Sequence, residues 1–457
     1  MDSMRKLLVA LGLAVAVAAP AQQPHQPVLM ISIDGMRPDY VTQAGEHHLS
    51  VPNLRRVLAE GTHADGVRGV FPTVTYPSHT TLVTGVWPAQ HGIYDNTRFD
   101  PEHKLDGAWY WYAPQIQVPT LYTAAHTAGL HTASVSWPVT VDATNIEFDI
   151  PEYWRTSEPH NPDDLFLMAA ITRPDGELDR IRARTGKPYM EGNDTTLDGD
   201  RTRTIYSLDI LQQHKPEFMT VHLSSLDEAE HLHGPFSPEA NADLEVVDGM
   251  VGQLVAQELA NFPNAVIAIV SDHGFVAVDH LVNLGVPFVA AGLIRLKSDD
   301  DDEIASWTAQ AWSAGGMSAI MLHDDTDLKT RNKVGALLKK LAADPANGIE
   351  AVLNHGQALA LGGFPGAAFV VTFKPGYVPG PALTGPVVTP TPPYLKGMHG
   401  YNPETTPAMR ASFFITGPGI AKGRDLGLID MRQIAPTLAG LLGVALPSAG
   451  QPPLQIH

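Results

Sequence analysis

Cysteine is missing from the chain, so neither disulfides nor thiolate ligands hold it together, and any metal must sit on nitrogen and oxygen. Cations are scarce as well: 30 Lys and Arg stand against 49 Asp and Glu, a formal net charge of -19. That balance argues against a surface for polymeric nucleic acid, which needs clustered Lys and Arg to displace counterions from phosphates. A small phosphate ester is still compatible, because metal ions can supply positive charge locally. The sequence holds no internal repeat, and beyond its N-terminus no run apolar enough to span a bilayer.

What is present begins with MDSMRKLLVALGLAVAVAAPAQQP. Arg5 and Lys6 precede an apolar run from Leu7 to Ala19, and Ala19-Pro20-Ala21 suits a signal peptidase. The reading is a cleaved export signal over 1–21, with the mature chain starting near Gln22. A membrane anchor is the rival, but the run falls short of the roughly 20 residues of a spanning helix. Export without cysteine fits a periplasmic or secreted protein.

The 457 residues suffice for a large core, and the expectation is one catalytic domain over 22–457 with insertions. Strand-length apolar runs alternate with amphipathic segments, the pattern of an α/β fold with helices on both faces of a largely parallel sheet. Candidate strands are Val28–Ile33, Thr132–Val135, Met219–Leu223, Val266–Val270, Phe369–Thr372 and Phe413–Thr416. Candidate helices are Val51–Glu60, Ser78–Thr84, Thr120–Ala128, Arg203–Gln213, Pro238–Leu259, Lys329–Leu341 and Met431–Leu442. Two excursions interrupt this pattern. Residues 152–200 are polar and irregular, and 276–394 carry strands and helices of their own before a Pro-rich stretch that leads into His399. The acidic run Asp299–Glu303 reads as a solvated turn.

Several polar residues stand where predicted strands end, the place at which α/β proteins gather catalytic groups. Asp34 follows a β-branched run and precedes glycine. Asp272 and His273 close another strand before Gly274. Asp227 and His231 are four apart, so on one helical turn both face the same side and can grip one metal. Each motif has a plainer reading as a turn or a surface pair, and a chain with 20 histidines offers many such pairs. Thr75 lies before Pro77 where a helix opens, and the positive end of that helix favours an alkoxide or a phosphate. Thr73, Ser78 and Thr80 are rivals on spacing alone.

Taken together, SIDGMRPDY, TYPSHTTLVTGVWPAQHGIYDN, LDEAEHLHGP, SDHGF and MHGY resemble, in that order, the nucleotide pyrophosphatase/phosphodiesterase branch of the alkaline phosphatase superfamily. The resemblance runs from about Val28 to about Val444. It implies a three-layer α/β/α sandwich of the alkaline phosphatase type with inserted cap regions, and two zinc ions, other divalent metals being compatible with such ligands. The threonine before an aromatic residue and proline selects Thr75 as nucleophile and metal ligand. Asp34, Asp272 and His273 would hold one zinc, and Asp227, His231 and His399 the other. Asn96 matches the asparagine that donates to a phosphate oxygen.

The chain departs from the branch in places. Glu230 replaces a glycine common before the histidine of the DxxxH element; it either orients His231 from behind or, as expected, faces solvent. His222 stands where nucleotide-preferring relatives often carry a base-stacking tyrosine, leaving Tyr76 as an aromatic face. The lysine–arginine pair of the related monoesterases is not found in the segment where it belongs, which holds only Arg155. Sulfatases of the superfamily usually use a modified cysteine or serine, unlike Thr75. The expected activity is hydrolysis of phosphodiester or pyrophosphate bonds in a small substrate through a phosphoryl-threonine; the alternatives are a phosphate monoesterase and a metal-binding relative without catalysis.

Overall fold

The computed structural model describes residues 25–157, 161, 163–298 and 303–457. The expected export signal over 1–21 and most of the acidic run Asp299–Glu303 lie outside the described residues.

All six residues of the strand Val28–Ile33 are buried, because aliphatic side chains that alternate between two faces need apolar cover on both. Leu29, Ile31 and Ile33 pack with Leu54, Tyr206, Ile210, Leu244 and Val251. Val28 and Met30 pack with Leu82, Leu121, Ile434 and Leu438 on the opposite side. The first group comes from helices Pro52–Glu60, Leu197–His214 and Pro238–Asn261, the second from Thr75–Thr84, Leu121–Thr127 and Ile434–Leu441. Each such side chain contributes about 1.5–3 kcal/mol by its burial, and together they hold helices on both faces of the sheet. This is the three-layer α/β/α arrangement.

The central sheet has eight strands, in the order Arg424–Asp425, Thr62–His63, Phe413–Thr416, Val266–Val270, Val28–Ile33, Phe218–Leu223, Thr132–Val135 and Phe148–Ile150. The last five are mutually parallel, and Phe413–Thr416 runs antiparallel to Val266–Val270. Register fixes where the strands stop. Ile33 lies opposite Leu223, and Ser32 opposite Val270, so the residues that follow these three strands emerge at one edge.

The segment after Glu152 contains the helices Asp164–Ile171 and Glu177–Thr185, although its composition suggested irregular chain. A separate antiparallel sheet forms from Ala309–Ala314, Met317–Leu322, Phe369–Phe373 and Ile349–Asn354. The Pro-rich stretch is more ordered than a loop. Gly376–Pro379 and Val388–Pro390 pair along the strand Val276–Val282, where edge positions tolerate proline. Gly397–Met398 pairs with Val276 and Ala277, which brings His399 to the carboxyl edge of the central sheet.

Candidate active site

Asp34 leaves its strand with its N–H bonded to the Leu223 carbonyl at 2.9 Å. Gly35 follows at φ 74°, a left-handed turn that glycine adopts without penalty, and a Cβ there would collide with Phe275 and with Glu230 Oε2. The freed Gly35 N–H donates to Asp272 Oδ1 at 3.1 Å. Asp272 and His273 follow Val266–Val270, while Asp227 and His231 lie in the helix Ser225–His233, just past Phe218–Leu223.

Two groups of side chains result. Ligand-type atoms of Asp34, Asp272 and His273 lie within 4.8 Å of one another, as do those of Asp227, His231 and His399. His273 Nε2 is 3.3 Å from Asp34 Oδ1 and 3.0 Å from Asp272 Oδ2. His231 Nε2 is 3.3 Å from Asp227 Oδ2, and His399 Nε2 is 3.8 Å from Asp227 Oδ1. Thr75, the first residue of its helix, places Oγ1 3.4 Å from His273 Nε2. Of its rivals, Thr73 donates to the Tyr401 carbonyl and Thr80 to the Tyr76 carbonyl, and Ser78 is fully buried.

The donor set fits divalent metal. Asp34 Oδ1, Asp227 Oδ1 and Asp272 Oδ2 are buried and have no hydrogen-bond partner, a costly state that a cation relieves. His231 Nδ1 donates to the Gly397 carbonyl at 3.0 Å and His399 Nδ1 to the Thr73 carbonyl at 3.2 Å. With Nδ1 committed, each ring leaves Nε2 as the atom available to a metal; burial works to lower His231, but Asp227 raises it. Burial, then the neighbouring His273, holds His399 well below the usual histidine range. Burial alone would raise Asp272, but His273, His79 and a hydrogen bond with Asp34 together hold that carboxylate low. Asp34 goes the other way: burial, then the charges of Asp272 and Asp227, push it well above the usual range. Carboxylates this close need positive charge between them.

Asn96 is beside Thr75. Its Oδ1 accepts the Tyr76 N–H at 2.8 Å, and its own N–H is held by Asp95 Oδ1 at 2.8 Å. With the amide oxygen committed, the NH2 group is the end left for a ligand.

Two expectations need correction. Glu230 does not face solvent: it is fully buried and accepts the Tyr40 hydroxyl at 2.8 Å. It is three residues after Asp227 on the same helix, a spacing that shares a face, so the face that turns Asp227 toward His399 carries it inside. Tyr76 offers no aromatic face, because Trp109 and Trp111 pack on it at 5.1 and 6.0 Å and bury it. His222 is buried. Its ring lies behind Asp34, with Nε2 2.9 Å from Asp34 Oδ2. His233 is exposed, and Arg155 is 3.3 Å from Asp164.

One residue of this neighbourhood escaped sequence reasoning. His79 hydrogen-bonds through Nδ1 to the Thr75 carbonyl and through Nε2 to the Ser32 hydroxyl, both at 2.9 Å. Its signal was the four-residue spacing from Thr75, one helical turn.

A family model described as type I phosphodiesterase / nucleotide pyrophosphatase matches residues 28–402, and the chain belongs to that family. It is 27% identical over 268 residues to human ectonucleotide pyrophosphatase/phosphodiesterase family member 1, covering 56% of this chain and 24% of that protein. It is 26% identical over 269 residues to venom phosphodiesterase 2 of Crotalus adamanteus, covering 57% of this chain and 28% of that one. The matched region thus spans about a quarter of these relatives. Among solved structures, the murine ectonucleotide pyrophosphatase/phosphodiesterase 5, in an inactive form in complex with AMP, aligns with TM-score 0.62 and 18% identity. That alignment covers 92% of this chain and 96% of the murine one. The shared architecture is the alkaline phosphatase-like fold.

Proposed function

We propose that this chain is an exported hydrolase that cleaves phosphodiester or pyrophosphate bonds in small substrates through a covalent phosphoryl-threonine on Thr75. The observation that carries the proposal is the position of Thr75 Oγ1, 3.4 Å from His273 Nε2 and beside two three-residue donor groups. In this reading Asp34, Asp272 and His273 hold one divalent ion with Thr75, and Asp227, His231 and His399 hold a second. Both are zinc, which such nitrogen and oxygen donors suit. Bound there, the ions supply a lowered pKa for the attacking hydroxyl and neutralise the leaving oxygen.

Thr75 Oγ gives up its proton to solvent and attacks phosphorus as the bond to the leaving alkoxide or phosphate breaks, and the leaving oxygen takes up a proton from solvent. The helix that begins at Thr75 directs its positive end at the phosphate. Asn96 donates from its NH2 group to a non-bridging oxygen, whose charge grows in the transition state. Water then attacks phosphorus from the vacated side, the Thr75–phosphorus bond breaks, and the hydroxyl regains a proton. The names of the relatives, ectonucleotide pyrophosphatase/phosphodiesterase and venom phosphodiesterase, support both the reaction class and an extracytoplasmic place. Among the described residues no helix is long and apolar enough to cross a membrane.

Diesters carry less charge than monoesters and need less cationic compensation, which agrees with the single Arg155 in place of a cationic pair. Comparing bis-p-nitrophenyl phosphate with p-nitrophenyl phosphate tests this choice. The diester is expected to be hydrolysed faster, and a strong preference for the monoester would overturn the assignment.

A further inference from the structure

We infer that His222 is a positioning residue that restricts Asp34 to ligation through one oxygen and ties it to the backbone of Thr75. The inference rests on the metal role proposed for Asp34.

His222 is on the strand Phe218–Leu223, opposite Ser32, and its ring is buried. Nδ1 lies 3.1 Å from the Ser136 carbonyl, which can only accept, so this nitrogen carries a hydrogen. Nε2 lies 2.9 Å from Asp34 Oδ2. A hydrogen lies between these two atoms; a neutral imidazole has only one, already on Nδ1, so this one belongs to the Asp34 carboxyl, or to the ring once it is doubly protonated. Glu152, the other nearby carboxylate, is 3.9 Å from Nδ1, beyond hydrogen-bonding range.

The contact divides the labour of the Asp34 carboxylate. Oδ2 is turned back toward the core, while Oδ1, buried and without a hydrogen-bond partner, faces His273 Nε2 at 3.3 Å. Asp272 repeats the arrangement, with Oδ1 held by the Gly35 N–H and Oδ2 left without a partner. Each carboxylate of this group is thereby fixed as a single-oxygen donor. A second histidine holds the first. His79 packs against His222 with ring centroids 4.4 Å apart, and the edge of Trp137 closes on His79 at 4.7 Å. Since His79 also bonds the Thr75 carbonyl and the Ser32 hydroxyl, the buried pair links ligand and nucleophile through contacts that leave the site face open.

Partners of this kind set both the orientation and the affinity of metal ligands. The test measures zinc binding to the full chain, by competition with a chromogenic chelator, for the wild type and three variants. His222→Leu fills the space without a donor. His222→Asn keeps an N–H toward Ser136 but stops short of Asp34. His222→Gln can extend an N–H to Asp34. His222→Leu and His222→Asn are expected to weaken one of two zinc equivalents by roughly 10–100-fold and leave the other unchanged, with His222→Gln close to the wild type. Rescue by glutamine separates positioning from bulk packing, and the asparagine variant serves if the leucine variant does not fold. Retention of both ions at wild-type affinity by folded His222→Leu or His222→Asn overturns the inference. Equal weakening in all three variants overturns it too. A wild type that binds no zinc is a distinguishable outcome, since it removes the metal reading itself.

Discussion

The imidazoles of His273 and His399 stack face to face, with centroids 3.7 Å apart and planes 11° from parallel. They belong to different donor groups, so the two proposed metal sites share a wall and sit side by side beneath Thr75.

This adjacency makes the stoichiometry informative. The wild type is expected to bind two zinc ions per chain, and His399→Ala to lose one while Asp34, Asp272 and His273 keep theirs. Metal analysis after dialysis checks this. Turnover of the variant should fall roughly 100-fold or more, and chelation of the wild type should abolish activity that zinc restores. Full activity in a protein shown to be free of metal would contradict the account.

Asn96 supplies a second prediction. Because its Oδ1 is committed to the Tyr76 N–H, replacement by alanine removes the NH2 donor and also releases that N–H. The expected loss in kcat is roughly 10²–10³-fold, the range for removal of one transition-state donor, with two zinc ions still bound. Steady-state kinetics beside metal analysis separates this from damage to the metal groups.

The nucleophile is tested in the same way. Thr75→Ala should lose kcat by on the order of 10³-fold or more, while Thr75→Ser, which keeps an attacking hydroxyl, should retain measurable turnover. An alanine variant with unchanged turnover would reject Thr75.

Much of this was legible in the sequence because strand ends and short motifs are local. The strand Val28–Ile33 has the bounds expected for it, and its buried faces follow from an apolar run interrupted only by Ser32. The helix Leu197–His214 begins six residues before the expected start, because Asp198, Gly199 and Asp200 read as loop; its cap is Thr196, which accepts the Gly199 N–H. Contacts between distant segments were beyond reach. That His222 meets Asp34, or that Trp109 covers Tyr76, depends on pairing and insertion geometry, and no local pattern encodes it. Glu230 is the instructive intermediate: its spacing from Asp227 placed it inward, while its charge suggested solvent.

Stability should carry a pH signature remote from the active site. Glu258 in the helix Pro238–Asn261 is buried, its Oε2 has no partner, and burial pushes it up to about 8. A carboxyl raised in the folded state gives stability that is full below the unfolded value and is lost as pH rises through about 8. Glu258→Gln removes that dependence. Denaturant titrations should show a flatter profile for the variant, and an advantage over the wild type of roughly 1–3 kcal/mol near pH 9. Parallel profiles would reject this role for Glu258.

The central claim is a covalent phosphoryl-threonine, and the stereochemical course at phosphorus tests it most directly. A diester made chiral with a sulfur and an oxygen isotope is hydrolysed in isotopically labelled water, and the configuration of the product is read by phosphorus NMR. Two successive in-line displacements, first by Thr75 and then by water, predict net retention. Net inversion would mean that water attacks the substrate directly, and would contradict the account.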